Sequence, residues 1–266
     1  MNDSLTELAE MLVCPVCHSD LYRGSSSFEC TRCGEAFGLS DHVPRFLSGG
    51  DGDAKASSLA RLHYAILGNP HVYDFQQKYC GAEPVLAKMR TELTEAVDIT
   101  LLDVGAGTGV MASLVSPTTR YIWLDNDTNK LRGLLSKRSE CMAVLGDAAR
   151  LPFRDSAVDW TLMIEVSHHI DDDLLDACLA EAARVTRDRF LFVDAIRSER
   201  IRSKLMWNLD LGRFPRPQST IVQALDRHFI LERVENFRGV NHDHVLCAGA
   251  SRTVERATAG SGTYAR

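Results

Sequence analysis

The chain has 266 residues, 45% of them hydrophobic, and its 30 Lys or Arg against 36 Asp or Glu give a formal net charge of −6. That length accommodates one full α/β domain and a small accessory unit. The acidic balance excludes a general electrostatic pull toward nucleic acid or anionic membrane. No transmembrane segment of roughly 18 apolar residues is present, and acidic residues stand where a secretory signal would be basic, so a cytoplasmic protein is expected.

The first predicted unit, residues 1–47, contains 14-CPVCHSDLYRGSSSFECTRC-33, two C-x2-C knuckles separated by twelve residues. Cys14, Cys17, Cys30 and Cys33 have the spacing of a zinc ribbon, in which a hairpin returns the second pair of thiolates to the first. Four thiolates close the shell, so the expected Zn2+ is structural and supplies folding energy that so short a segment cannot draw from a core. His18 adjoins Cys17 and is either a spare ligand or a surface residue. Cys80, Cys141, Cys178 and Cys247 are scattered among apolar neighbours and read as core thiols. The run 14-CPVC-17, 30-CTRCGEAF-37 and 41-DHVPRFL-47 resembles the zinc ribbon that precedes bacterial rRNA guanine methyltransferases, and the small zinc-ribbon activator subunit of several methyltransferases. Residues 48–58, rich in Gly, Ser and Asp, are expected to be a linker.

From Ile99 apolar strand patterns alternate with helical ones. Strands are predicted at 100-TLLDV-104, 120-RYIWLD-125, 142-MAVLGD-147, 158-VDWTLMIE-165 and 189-RFLFVDAI-196, with helical segments near 110–116, 128–139, 171–186 and 217–228. The alternation predicts an α/β, doubly wound (Rossmann-like) sheet of seven strands over 99–250. The last two, 229-FILERVENFR-238 and 243-DHVLCAGA-250, follow one another without a helix and should form an antiparallel hairpin.

The loop 101-LLDVGAGTGV-110 opens where ligands of such sheets bind, beyond the carboxyl ends of the strands. It lacks the Lys-Ser/Thr of a nucleoside-triphosphate loop, and its glycines at 105, 107 and 109 miss the dinucleotide spacing. Asp103 would repel a pyrophosphate but attract the charged end of an amino-acid cofactor. These residues point to S-adenosyl-L-methionine. Asp125 is then placed to accept the ribose hydroxyls, Asp147 the adenine amine, and Glu165 to stand beside the reaction centre.

The motifs 103-DVGAGTG-109, 124-LDND-127, 146-GDAARLPFRDSAVD-159 and 162-LMIEVSHHI-170 resemble class I S-adenosylmethionine-dependent methyltransferases, particularly the group that includes quinone-biosynthesis C-methyltransferases. The resemblance implies a cofactor pocket lined by Asp103, Gly105, Ala106, Gly107, Asp125, Asn126, Asp147 and Ala148. By the same resemblance 69-NPHVYDFQQKYCG-81 belongs to a helical lid over 59–98. There Tyr73 and Gln77, four apart, either cover the methionine end of the cofactor or leave the lid held by Val72, Phe75 and Tyr79.

Methyl transfer to a hydroxyl gains from a base, and His168 and His169 follow the fourth strand directly, with His168 preferred. A capping or packing role is the alternative reading. Glu165, His168 and His169 are also faintly similar to the metal site of RNA-end and ubiquinone O-methyltransferases, although His168 stands where that pattern has glutamate. Residues 197–218 read as a substrate cap whose Leu205, Met206, Trp207, Leu209, Leu211 and Phe214 cover the pocket. Its Arg197, Arg200, Arg202 and Lys204 either meet an anionic substrate or form a solvated face. Residues 251–266 are expected to be a disordered tail. Two acceptor classes follow: a small-molecule or lipid-like substrate, or RNA gripped by the ribbon. Oligomeric state is not encoded in any of these motifs.

Overall fold

The computed structural model describes residues 3–47, 82–138, 141–207 and 214–252. The expected linker 48–58, the lid positions Tyr73 and Gln77, Leu209 and Leu211 of the cap, and the tail from 253 onward lie outside the described residues.

The chain opens with helix α1 (Asp3–Met11), followed by four short strands: β1 (Leu21–Arg23), β2 (Ser27–Cys30), β3 (Ala36–Ser40) and β4 (Val43–Arg45). They form an antiparallel meander in which Leu21 faces Cys30, Phe28 faces Phe37 and Leu39 faces Pro44. Phe28, Phe37 and Phe46 close its interior, the Phe37 and Phe46 rings lying 4.9 Å apart.

Helix α2 (Glu83–Glu92) leads into β5 (Thr100–Val104), and then strands and helices alternate: β6 (Arg120–Asp125), α3 (Thr128–Lys137), β7 (Met142–Leu145), β8 (Val158–Ile164), α4 (Asp172–Val185) and β9 (Thr186–Ile196). After α5 (Ile201–Trp207) and α6 (Gln218–Asp226) come β10 (Phe229–Arg238) and β11 (Asp243–Ser251). The α3 amides of Asn129 and Lys130 are capped by Asp127, and the α4 amide of Leu174 by Asp171. β5 is buried along its whole length, as a central parallel strand covered on both faces must be. The predicted helix at 110–116 shrinks to a 3-10 turn, Val110–Ser113, because Gly109 enters it in the left-handed region and Pro117 follows closely.

The strand order is β1-β2-β3-β4-β7-β6-β5-β8-β9-β11-β10. Pairs from β7 through β9 are parallel, and β11 runs antiparallel between β9 and β10, which forms the predicted hairpin. Among the described residues the sheet has eleven strands rather than seven, because the four of the amino-terminal meander join the seven expected over 99–250. Arg45 of β4 pairs in parallel with Leu145 of β7, and the Phe46 amide donates to the Leu145 carbonyl at 2.7 Å. The physical reason is that β7 would otherwise end the sheet on a row of unpaired backbone groups, which the amino-terminal meander covers. One apolar cluster runs through both parts, joining Leu8, Leu12, Phe28 and Phe46 to Leu102, Leu124, Val144 and Phe153. Strand β11 runs through Ser251, which is buried.

Candidate cofactor and acceptor site

The carboxyl ends of β5, β6, β7 and β8 lie along one edge of the sheet, so Asp103, Asp125, Asp147 and Glu165 come to a common rim. Between the first two, the amides of Gly105 and Ala106 both donate to the Leu124 carbonyl, at 2.8 and 3.0 Å. The Gly107 amide donates to Asp125 Oδ2 at 2.9 Å, and the Trp123 indole donates to the Gly107 carbonyl at 2.8 Å. Gly105 and Gly107 have φ of +73° and +56°, where glycine carries no steric cost. At Gly105 the need is doubled, because a Cβ would stand 2.5 Å from Val166 Cγ2.

This loop fits S-adenosylmethionine on its own chemistry. Thr108 Oγ1, at its turn, is buried without a hydrogen-bond partner, a group that a bound ligand would satisfy. Asp103 is 2% exposed; burial lifts its carboxyl to about 7, opposed by a hydrogen bond from the Tyr121 hydroxyl and reinforced by nearby Asp125. A buried carboxyl held this high gains from a cation, and an amino-acid ammonium is one. Asp125 also accepts from the Asp127 amide and faces Lys130 Nζ at 3.4 Å. Asp147 is partly exposed and accepts from the Ala149 amide, beside half-buried Ala148, while Asn126 points to solvent.

On the other side of β5, Glu165 directly follows β8 with φ of +58°, an uncommon conformation for a non-glycine residue, and turns the chain into the 3-10 segment Ser167–His169. His168 is buried and its Nδ1 lies 2.5 Å from Asp194 Oδ1, at the end of β9, while Asp194 Oδ2 accepts from the Ser167 amide at 2.7 Å. Burial alone would raise Asp194, but the His168 charge and the hydrogen bonds from His168 and Ser167 outweigh it and hold the carboxyl below the usual range. An ionised Asp194 requires a proton on Nδ1, which leaves Nε2 as the acceptor nitrogen of neutral His168. His169 is exposed, its ring 4.0 Å from that of His168.

Sequence reasoning missed Asp194 and His244. Asp194 carried the signal already used for the other carboxylates, an acidic residue closing an apolar strand. His244 Nε2 lies 3.4 Å from Glu165 Oε1, and burial pushes its pKa down to about 4, so it faces the carboxylate neutral. Trp207 packs edge-on to His168 and against His242, with ring centroids at 5.8 and 4.2 Å. Of the cap's cations, Arg200 is partly buried and binds Asp243 at 2.7 Å, whereas Arg202 and Lys204 are exposed and pair at the surface with Asn241 and Glu199.

At the amino terminus the Sγ atoms of Cys14 and Cys33 are 3.7 Å apart and those of Cys17 and Cys30 are 3.4 Å apart. Tetrahedral zinc with Zn–S of about 2.3 Å places thiolates about 3.8 Å apart, so the four cysteines fit that ion. The two knuckles are built alike: His18 and Gly34 each follow the first cysteine of their pair by four residues, in left-handed conformation, with amides donating to the carbonyls of Cys14 and Cys30. His18 is therefore a turn residue.

Comparison with known proteins agrees with this geometry. Residues 102–193 match the family model described as a methyltransferase domain. Among solved structures, a candidate methyltransferase of Bacillus halodurans C-125 aligns with TM-score 0.52 and 17% identity over 62% of this chain and 97% of its own. The complex of the Haloferax volcanii Trm112 methyltransferase activator with a candidate methyltransferase aligns with TM-score 0.57 and 15% identity, over 71% and 96%. Geranyl diphosphate C-methyltransferase of Streptomyces coelicolor A3(2) aligns with TM-score 0.51 and 12% identity, over 62% and 76%. No curated protein matches the chain. The fold is that of a class I methyltransferase. Residues 102–193 carry its methyltransferase domain, and the protein is an S-adenosylmethionine-dependent methyltransferase. Among the described residues no helix is long and apolar enough to cross a membrane.

Proposed function

We propose that the protein methylates an ionisable hydroxyl of a small or lipid-like molecule, with His168 as general base. The observation that carries this reading is the buried His168–Asp194 pair at the rim of the sheet, next to Glu165. Bound S-adenosylmethionine supplies a methyl group activated by its sulfonium. The chain's part is to hold the cofactor's charged end at Asp103, its ribose at Asp125 and its adenine at Asp147, with Gly105, Ala106 and Gly107 allowing close approach. His168 Nε2 then takes the acceptor's proton, and Asp194 stabilises the imidazolium that forms. Cys14, Cys17, Cys30 and Cys33 hold one structural zinc.

Pairing of the partly buried Arg200 with Asp243 takes that cation of the cap away from an RNA backbone, which favours the small acceptor. A protein of similar fold that is a geranyl diphosphate C-methyltransferase supports the same choice. Glu165, His168 and Asp194 present donor atoms within 4.8 Å of one another, the basis of a second reading as a metal centre. Both Asp194 oxygens are committed to Ser167 and His168, which favours the hydrogen-bonded pair. Radiolabelled methyl transfer into a cell extract, separated into RNA, protein and organic-soluble fractions, tests the proposal. Label is expected in the organic-soluble fraction, and label confined to RNA would overturn it.

A further inference from the structure

Arg216 belongs to the return leg of the segment read from sequence as a basic, substrate-facing cap, yet it is only 6% exposed. Its guanidinium is used almost to capacity: Nη1 donates to the carbonyls of Ser167 at 2.6 Å and Phe214 at 3.3 Å, Nη2 to Ile170 at 2.7 Å, and Nε to Asp172 Oδ1 at 2.7 Å. Ser167 and Ile170 bracket the 3-10 segment that carries His168, and Asp172 begins α4. The backbone completes the clamp, since the Phe214 amide donates to the His168 carbonyl at 3.0 Å and the Arg197 amide to the Arg216 carbonyl at 2.8 Å.

The geometry points to Arg216 as a positioning residue for His168, rather than a ligand for an anionic substrate. The peptide between Ser167 and His168 is gripped from two directions. Asp194 takes the Ser167 amide and the His168 ring, while Arg216 and Phe214 take the carbonyls on either side. A three-residue 3-10 turn has too few internal hydrogen bonds to fix a side chain by itself. With both clamps in place the imidazole has one orientation, Nδ1 toward Asp194. Without Arg216 the turn keeps Asp194 and the Phe214 amide but loses the grip on the Ser167 and Ile170 carbonyls. Lysine cannot substitute, because the contacts need several donors in one plane and an ammonium presents a single point.

This inference rests on the reading of His168 as the base, but its test does not require the acceptor. Nitrogen NMR of the imidazoles in the full-length protein, with S-adenosylhomocysteine present, reads which ring nitrogen carries the proton. In the unsubstituted protein the His168 proton is expected fixed on Nδ1. In Arg216→Lys the two nitrogen shifts should move toward a common averaged value, with cofactor affinity kept within about twofold, because Arg216 touches none of the cofactor-loop residues. Asp172→Ala removes one anchor at an exposed carboxylate, so it should fold and show the same change to a smaller extent. A His168 signal identical to the unsubstituted protein's in both variants would overturn the assignment, even with melting temperature lowered, since a purely structural arginine would change stability alone. Failure of His168 as base would appear separately, as undiminished turnover of His168→Ala.

Discussion

Asp125 Oδ2 accepts the Gly107 amide at 2.9 Å, so the carboxylate assigned to the ribose also fixes the shape of the glycine loop. Asp125→Ala should therefore cost more than the charge-assisted contact to the ribose, itself about 1.5–3 kcal/mol. Calorimetry with S-adenosylhomocysteine should show at least a tenfold loss of affinity, and NADH should not compete. Unchanged affinity in the variant would remove the ribose assignment.

The buried Asp103 carboxyl gives the cofactor site a dependence on pH. Its pKa is raised from 3.8 to about 7. Because the folded state holds this proton more tightly than the unfolded chain, the group's contribution to stability is full in acid and is lost as pH climbs from about 4 to 7. An ammonium needs the ionised form, so cofactor binding should strengthen as pH rises toward 7 and level off above it. Titration calorimetry between pH 5.5 and 8.5 checks this. Asp103→Asn should bind more weakly and flatten the lower limb; a limb that persists in that variant belongs to another group.

The acceptor side is tested by turnover. His168→Ala and Asp194→Asn should each lower single-turnover methyl transfer by about a hundredfold or more while cofactor affinity stays nearly constant. The second variant acts by letting the ring proton leave Nδ1, whereas His169→Ala, at an exposed position, should have a smaller effect. Full activity in His168→Ala would leave alignment as the chain's main contribution.

Metal analysis of freshly purified, reduced protein should give one zinc per chain, bound by the four cysteines. A second tightly bound equivalent lost in Glu165→Ala would favour the metal reading of the acceptor site. Cys30→Ser should abolish the zinc. Because Cys30 lies in the cluster that also contains Leu124 and Phe153, this variant should lower the melting temperature of the whole protein in a single transition. Two separate transitions would show that the amino-terminal unit melts independently.

Much of this was legible in the chain because it rests on local signals. Strand–helix alternation gave the parallel sheet, and an acidic residue after each apolar strand marked Asp103, Asp125, Asp147 and Glu165. The knuckle spacing brought four cysteines together. What escaped depends on pairings between distant segments. Asp194 and His168 are 26 residues apart and nothing in either segment announces the other. The β4–β7 contact is one register pair, Arg45 with Leu145, too short to leave a pattern. Arg216 was not singled out, for a physical reason: composition reports charge, and only burial shows that a charge is spent on backbone carbonyls. Its neighbours Pro215 and Pro217 were the available hint, since they favour an extended segment on either side of it.

The joining of β4 to β7 also bears on how the enzyme can be handled in the laboratory. A shortened version beginning after residue 47 would keep every proposed cofactor and acceptor residue, yet would leave an open parallel strand edge at β7 and uncover Leu102, Leu124, Val144 and Phe153 beneath it. Such an edge, next to exposed apolar side chains, is a template for self-association. Insoluble expression of that fragment would reflect a missing strand neighbour, not a defect in the catalytic rim, and adding denaturant-refolded residues 1–47 with zinc would be the rational rescue.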